Sequence, residues 1–231
     1  FLSCELDQET KSISRITYFP DFTMGGDATQ FLQIGEAYTE AGVSAEERGT
    51  TVPVTSSISG SYFSGNISAI NTTIPDRYRI TYSATNSDGF PGSVIRSIYV
   101  AQNGDLVNDI SGLYTATIVR NEVESAQYED LEYVIIRKTG PNTYVLSDIV
   151  AGYYDIGRSL GSTFAGPSST ITANDIAAND FDFGDAVGVG VFGGVAEITE
   201  MEVNPATKQI HFITEWDGDF TFDITLTQFE F

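Results

Sequence analysis

Apolar and polar residues alternate along much of the chain. Tyr78, Ile80, Tyr82 and Ala84 fall on one face of an extended segment, and Arg79, Thr81 and Ser83 fall on the other. Near the C-terminal end, Phe220, Phe222, Ile224 and Leu226 alternate with Thr221, Asp223, Thr225 and Thr227. A period of two is that of a strand buried on one face and wet on the other, as in antiparallel sheets. Long runs with helical period are missing, so the chain reads as nearly all β. Only the segments 42–48 and 172–179 offer a helical turn or two. Turn signals separate the runs: Ser87-Asp88-Gly89, Gly140-Pro141-Asn142, Asn204-Pro205-Ala206 and Asp217-Gly218. The last lies between Glu215-Trp216 and Asp219-Phe220, the signal of a two-residue hairpin.

Past residue 104 the strand-like runs lie near 112–120, 131–138, 143–150, 152–158, 187–192, 195–203, 208–215 and 219–228. Tight turns between several of them predict an up-and-down meander, an antiparallel β-barrel or sandwich. Residues 15–103 have the length of an Ig-like β-sandwich. A short polar connection, Ala101-Gln102-Asn103-Gly104-Asp105-Leu106, marks the predicted boundary. The expected organisation is therefore a tether over 1–14, a sandwich over 15–103 and an antiparallel β-domain over 104–231.

Charge divides the chain unevenly. The 231 residues carry 11 Lys and Arg against 32 Asp and Glu, a net charge of −21, with one His, one Cys and one Trp. Residues 1–103 hold 6 basic and 11 acidic residues, net −5, whereas residues 104–231 hold 5 and 21, net −16. The second part also carries 16 of the 28 aromatic residues. Such acidity repels phosphate, so nucleic acid and anionic membrane surfaces are excluded as partners. No stretch approaches the roughly 20 apolar residues of a membrane-spanning helix. One Cys excludes a disulfide framework and a Cys-based zinc site, and one His excludes a multi-His metal centre. A Ser-His-Asp site would have to run through His211, which faces opposite to its neighbours Ile210 and Phe212 on an alternating strand.

Candidate chemistry concentrates near turns of the acidic part. A sugar offers an apolar C–H face and a rim of hydroxyls, which flat aromatic rings and carboxylates match. Trp216 beside Asp217, the run Tyr153-Tyr154-Asp155, Arg158 and Phe164 provide that mixture. Aromatic residues at strand period are also ordinary core, and two adjacent tyrosines on a strand face opposite sides, so one of Tyr153 and Tyr154 is expected inside. The run Gly188-x-Gly190-x-x-Gly193 has no helix after it and reads as a glycine-bearing strand or bulge passing close to another element. Asp175, Asp180, Asp182 and Asp185 raise calcium, but the EF-hand register from Asp180 fails. Gly184 falls at its fifth position, Asp185 at its invariant Gly and Val191 at its bidentate Glu, so a solvated acidic loop is expected. No metal, no cofactor and no catalytic residue are expected; a glycosidase needs two spaced carboxylates, and among 32 acids some pair always qualifies.

Three resemblances extend this reading. The runs Gly35-Glu36-Ala37-Tyr38-Thr39-Glu40-Ala41-Gly42-Val43-Ser44-Ala45, Tyr78-Arg79-Ile80-Thr81-Tyr82-Ser83-Ala84 and Arg96-Ser97-Ile98-Tyr99-Val100 resemble the bacterial Ig-like domains of surface proteins. Within them Tyr78 is either a corner residue, its hydroxyl bonded to backbone upstream, or an ordinary core aromatic. The β-domain, opening on Gly112-Leu113-Tyr114-Thr115-Ala116 and closing on Leu226-Thr227, resembles small calycin-like barrels. Phe1-Leu2-Ser3-Cys4 resembles the tail of a bacterial lipoprotein signal, and Glu5, Asp7 and Glu9 resemble the export signal of surface lipoproteins. Taken together the chain is similar to Bacteroidetes surface lipoproteins that pair an Ig-like domain with a C-terminal β-domain. That resemblance implies lipidation at Cys4 and display on the cell outer membrane. It further implies a non-catalytic role, as a glycan-binding or accessory part of a polysaccharide-uptake system. The alternative is a structural or adhesive module that binds another surface protein.

Overall fold

The computed structural model describes residues 16–231, and Cys4 with its tether lies outside the described residues. The chain is all β. In its first part the strands are β1 (Asp21–Met24), β2 (Thr29–Gln33), β3 (Val43–Glu47), β4 (Thr50–Val52), β5 (Thr55–Gly60), β6 (Asn66–Ile67), β7 (Asp76–Thr85) and β8 (Pro91–Ala101). They form a three-stranded sheet, β1-β3-β4, and a five-stranded sheet, β2-β8-β7-β5-β6, in which β2 runs parallel to β8. The predicted turn of helix over 42–48 is strand β3 instead. Ala45 is buried there and the strand pairs on both edges, with β1 and β4. An isolated turn of helix has no such ladder to offset its nucleation cost.

By packing, the chain divides into two compact units. The smaller comprises residues 16–26, 41–56 and 81–94. Its turn at Asn86 is held by the side chain, whose Oδ1 accepts from the backbone N–H groups of Asp88 and Phe90 and whose amide donates to the Tyr18 carbonyl. The larger comprises residues 27–40, 57–80 and 95–231. In it Tyr78 satisfies both sequence readings at once, because its ring is fully buried while its hydroxyl faces the carbonyl oxygens of Asn71 and Ile74 at 2.7 and 2.9 Å.

The C-terminal part of the larger unit is a single eight-stranded antiparallel sheet. Its strands are β9 (Gly112–Arg120), β10 (Leu131–Lys138), β11 (Thr143–Leu146), β12 (Ser169–Asp175), β13 (Asp180–Phe183), β14 (Ala196–Asn204), β15 (Gln209–Trp216) and β16 (Phe220–Gln228). The order β13-β12-β11-β10-β9-β16-β15-β14 is two meanders joined where β16 lies beside β9. The two edges nearly meet. Val187 and Ala196 exchange backbone hydrogen bonds of 2.8 Å, and the Asn179 side chain accepts from the Val203 N–H at 2.8 Å, so the sheet is a near-barrel. Its interior is filled by Tyr114, Ala116, Ile118, Val134, Ile136, Phe212, Phe222, Ile224 and their neighbours. Outside, Leu113, Tyr133 and Ile135 bury a second face against Tyr99 and Ala101 of β8. Burial on both faces is why β10 reads as a nearly unbroken apolar run rather than an alternating one.

Several predicted strands fall elsewhere. Residues 152–158 form a wide helical turn, Tyr153–Gly157, and 187–192 hold one bridge and a short turn, Gly190–Phe192. Only Thr143–Leu146 of the run 143–150 is strand. The segment 172–179, expected as helix, is instead the end of β12 and its turn to β13, with Ile171 and Ala173 facing the core. The hairpin at Asp217-Gly218 has a three-residue loop, since Trp216 pairs with Phe220.

The connections sort by length. Turns of four residues, 139–142, 176–179 and 205–208, close one end of the near-barrel. At the other end emerge the longer segments 121–130, 147–168 and 184–195 together with the hairpin tip 217–219. Barrel mouths dressed by long loops are where ligand sites concentrate.

Candidate functional site at the loop end of the near-barrel

One buried carboxylate organises the longest of these loops. Asp148 follows the end of β11 and accepts from the backbone N–H groups of Val150, Gly152 and Gly166, at 3.2, 2.8 and 2.8 Å. Burial pushes its pKa up to about 6, against the pull of those three donors. Thr214 of β15 anchors the same loop by donating from Oγ1 to the Ile149 carbonyl at 2.8 Å. Gly152, at φ 85°, then turns the chain into the helical turn. Successive residues of a helical turn point about 100° apart rather than 180°. Tyr153 and Tyr154 therefore both reach inward, each only 4% exposed, where strand geometry predicted one in and one out.

From there a chain of rings crosses the mouth. Tyr128 stacks on Tyr153 with centroids 4.0 Å apart, Tyr153 meets Tyr154 edge-on at 4.9 Å, and Tyr154 meets Trp216 edge-on at 5.8 Å. Phe192 lies over this group, 4.7 Å from Tyr154, 5.1 Å from Phe164 and 6.0 Å from Trp216, and is itself 47% exposed. The fold thus gathers Tyr153, Tyr154, Arg158 and Phe164 of the segment 147–168 with Trp216 of β15. Trp216 is 7% exposed, and among the described residues its indole N–H finds no acceptor. Gly194 lies directly over it: a Cβ at that position would sit 2.5 Å from the indole nitrogen. This bears out the expectation that the glycine run passes close to another element, although the run is loop rather than strand. Asp217 is exposed and holds the loop by accepting from the Val195 N–H at 2.9 Å. Asp155 does not join the ring cluster's surface. It is buried and engaged with Arg77 and Tyr62.

Two guanidinium groups converge on Tyr153. That of Arg158 lies 5.3 Å from the centroids of both Tyr153 and Tyr154, and its Nε donates to the Tyr128 hydroxyl at 3.2 Å. That of Arg120, at the end of β9, lies 4.1 Å from the Phe220 ring and 5.7 Å from that of Tyr153. Among the described residues neither makes an ion pair, and the buried Nε of Arg120 has no hydrogen-bond acceptor. Burial raises the Tyr153 phenol, but hydrogen bonding by Tyr128, Arg120 and Arg158 and the Arg158 charge outweigh it and hold the phenol below its ordinary value. A cavity of about 280 Å³ opens beside them, lined by Arg120, Asn121, Val123, Ser125, Tyr128 and Tyr153. Sequence reasoning missed Arg120 and Tyr128; the available signal was that Arg120 is one of only 5 basic residues in the acidic part.

The remaining sequence candidates lie outside the mouth. His211 is on the outer face of β15 with Nε2 2.8 Å from Asp223 of β16. At the tip of the β12–β13 hairpin, Asn174 donates to Asp180 and Asp182 at 3.3 and 2.9 Å, and these acids are exposed. Among the described residues no group of three or more His, Cys, Asp or Glu is arranged to hold a metal ion.

An Ig-like segment followed by a near-closed antiparallel barrel defines a class of bacterial surface protein, and comparison with known proteins agrees. Residues 22–100 match the bacterial surface protein Ig-like domain. Residues 103–228 match a C-terminal-domain family model, and the chain belongs to the family that this domain defines. The crystal structure of the lipoprotein BT2262 from Bacteroides thetaiotaomicron is similar: TM-score 0.66 and 25% identity, over 91% of this chain and 100% of that one. No curated protein matches at the level of sequence.

Proposed function

We propose that this surface-lipoprotein-like chain is a non-catalytic binding protein whose ligand is a glycan held at the loop end of the near-barrel, in the service of polysaccharide uptake. The observation that carries the reading is the convergence at one mouth of the ring chain Tyr128–Tyr153–Tyr154–Trp216, a half-exposed Phe192 and the polar groups of Arg158 and Asp217. An apolar ring face beside a charged rim is the complement of a pyranose. Lipidation at Cys4 and an outer-membrane address complete the proposal, supported by the likeness to a lipoprotein.

Affinity gels and a glycan array test it, with Phe192→Ala and Arg158→Ala as controls at the exposed rim. Retardation by at least one glycan is expected, weakened about tenfold in either variant, the usual scale for losing one well-placed contact. Retention of no host or plant glycan overturns it. A second reading, a module that binds another surface protein, is favoured by the exposed apolar side chains of Val191 and Val195 beside Phe192.

A further inference from the structure

Two of the few basic residues in the acidic part of the chain, Arg120 and Arg158, stand together at the mouth. Residues 104–231 hold 21 carboxylate side chains for 5 basic ones. Of these, Lys138 and Lys208 pair with Asp109 and Glu230, whereas Arg137 lies over the Phe63 ring. Arg120 and Arg158 likewise lie against aromatic rings, but these two converge on one phenol, and Arg120 in addition borders a cavity and buries a guanidinium N–H with no acceptor. A buried donor left unbonded is unfavourable unless something supplies the missing oxygen. Guanidinium groups match planar oxyanions, and the Tyr128 and Ser125 hydroxyls and the Asn121 amide add neutral donors around the same space.

We propose that the cavity beside Arg120 and Tyr153 is an anion subsite, and that the ligand is a sugar bearing a single carboxylate or sulfate. This rests on the glycan reading and names its ligand class. Arg120 takes the oxyanion, Tyr128 holds its second edge with Arg158 bonded behind it, and the half-exposed Phe192 takes the sugar face. The surrounding net charge of −16 disfavours a polyanion while leaving a lone acidic group attracted by the two local cations.

Calorimetric titration of the full chain with five probes tests this: D-galacturonate, its neutral methyl ester, D-galactose, galactose 6-sulfate and inorganic sulfate. Galacturonate is expected to bind about tenfold or more tighter than its methyl ester and galactose, the scale of one charge-assisted hydrogen bond. Equal binding of galactose 6-sulfate supports a site that reads charge, and its exclusion supports one that reads the planar carboxylate; either sustains the proposal. Arg120→Gln is expected to abolish the preference, and Arg158→Gln, at an exposed position, to reduce it without threatening the fold. Tyrosinate absorbance supplies an independent readout, since the phenol should titrate higher in either variant. Equal affinity for galacturonate, ester and galactose overturns the subsite and leaves the glycan reading standing. Inorganic sulfate bound as tightly as the sugar acids keeps the subsite and overturns the glycan reading. Binding of none of the five, or a preference unchanged in both variants, overturns the subsite.

Discussion

Arg77 donates through one terminal nitrogen to both carboxylate oxygens of Asp155, at 3.2 and 2.9 Å, inside the larger compact unit. Tyr62 donates its hydroxyl to the same carboxylate at 2.6 Å, and Arg77 Nε donates to Ser61 at 3.0 Å. The pair ties β7 to the helical turn that carries Tyr153 and Tyr154. Asp155 is thus a support for the ring cluster and not the ligand contact that its position beside two tyrosines predicts. Removing one partner of a buried pair strands the other charge, so Asp155→Ala is expected to lose about 3–5 kcal/mol. Arg77→Met in the same background should recover part of that loss. Urea unfolding of the two single variants and the double variant checks it, and simple additivity would show that the residues are not coupled.

The raised pKa of Asp148 makes a prediction about pH. Its folded-state value of about 6 lies above the ordinary carboxylate value of 3.8, so between the two the folded chain binds a proton that the unfolded chain does not. That contribution to stability is present at low pH and lost as pH rises through about 6. Asp148→Asn removes the titration. Urea midpoints measured from pH 4 to 7 should fall with pH more steeply in the parent than in the variant, and parallel curves would contradict the assignment.

At Tyr78 the hydroxyl is the testable part. Tyr78→Phe keeps the buried ring and leaves the Asn71 and Ile74 carbonyls without that donor. The expected cost is about 1–2 kcal/mol. Thermal unfolding reads it, and an unchanged midpoint would make the ring alone responsible for that position.

Gly194 tolerates no side chain. Its φ is 71°, and an added Cβ would crowd the Trp216 indole and the Asp217 carboxylate. Gly194→Ala is expected to lift the loop from Trp216 and lose about 1–3 kcal/mol. Because Trp216 is the sole tryptophan, its emission should shift to the red and become accessible to acrylamide. Unaltered emission would mean that the loop can accept the methyl group in place.

Alternation made most of the fold legible. β7, β9, β10, β14, β15 and β16 coincide closely with runs in which polar and apolar residues take turns or in which both faces are buried. β12 was not legible, because Ser169-Thr170-Ile171-Thr172-Ala173 carries one large apolar side chain and its burial comes from neighbouring strands. The helical turn at 153–157 was misread since Tyr-Tyr-Asp-Ile has strand propensity; what bends it is Asp148 and Gly152, a contact network that no period reveals. The ring residues of the mouth were legible by type and position. Their assembly was not, because Trp216 and Tyr154 lie 62 positions apart and Arg77 is 78 positions from Asp155.

The sorting of connections by length has a practical side. With 139–142, 176–179 and 205–208 all at one end, the near-barrel has an end of short turns and an end of long loops. A fluorophore, biotin or sensor-chip linkage placed in any of those three turns would orient every copy with its mouth toward solvent. The same near-barrel would then serve as a display scaffold, in which 121–130, 147–168 and 184–195 are exchanged while the turns that close the opposite rim stay fixed.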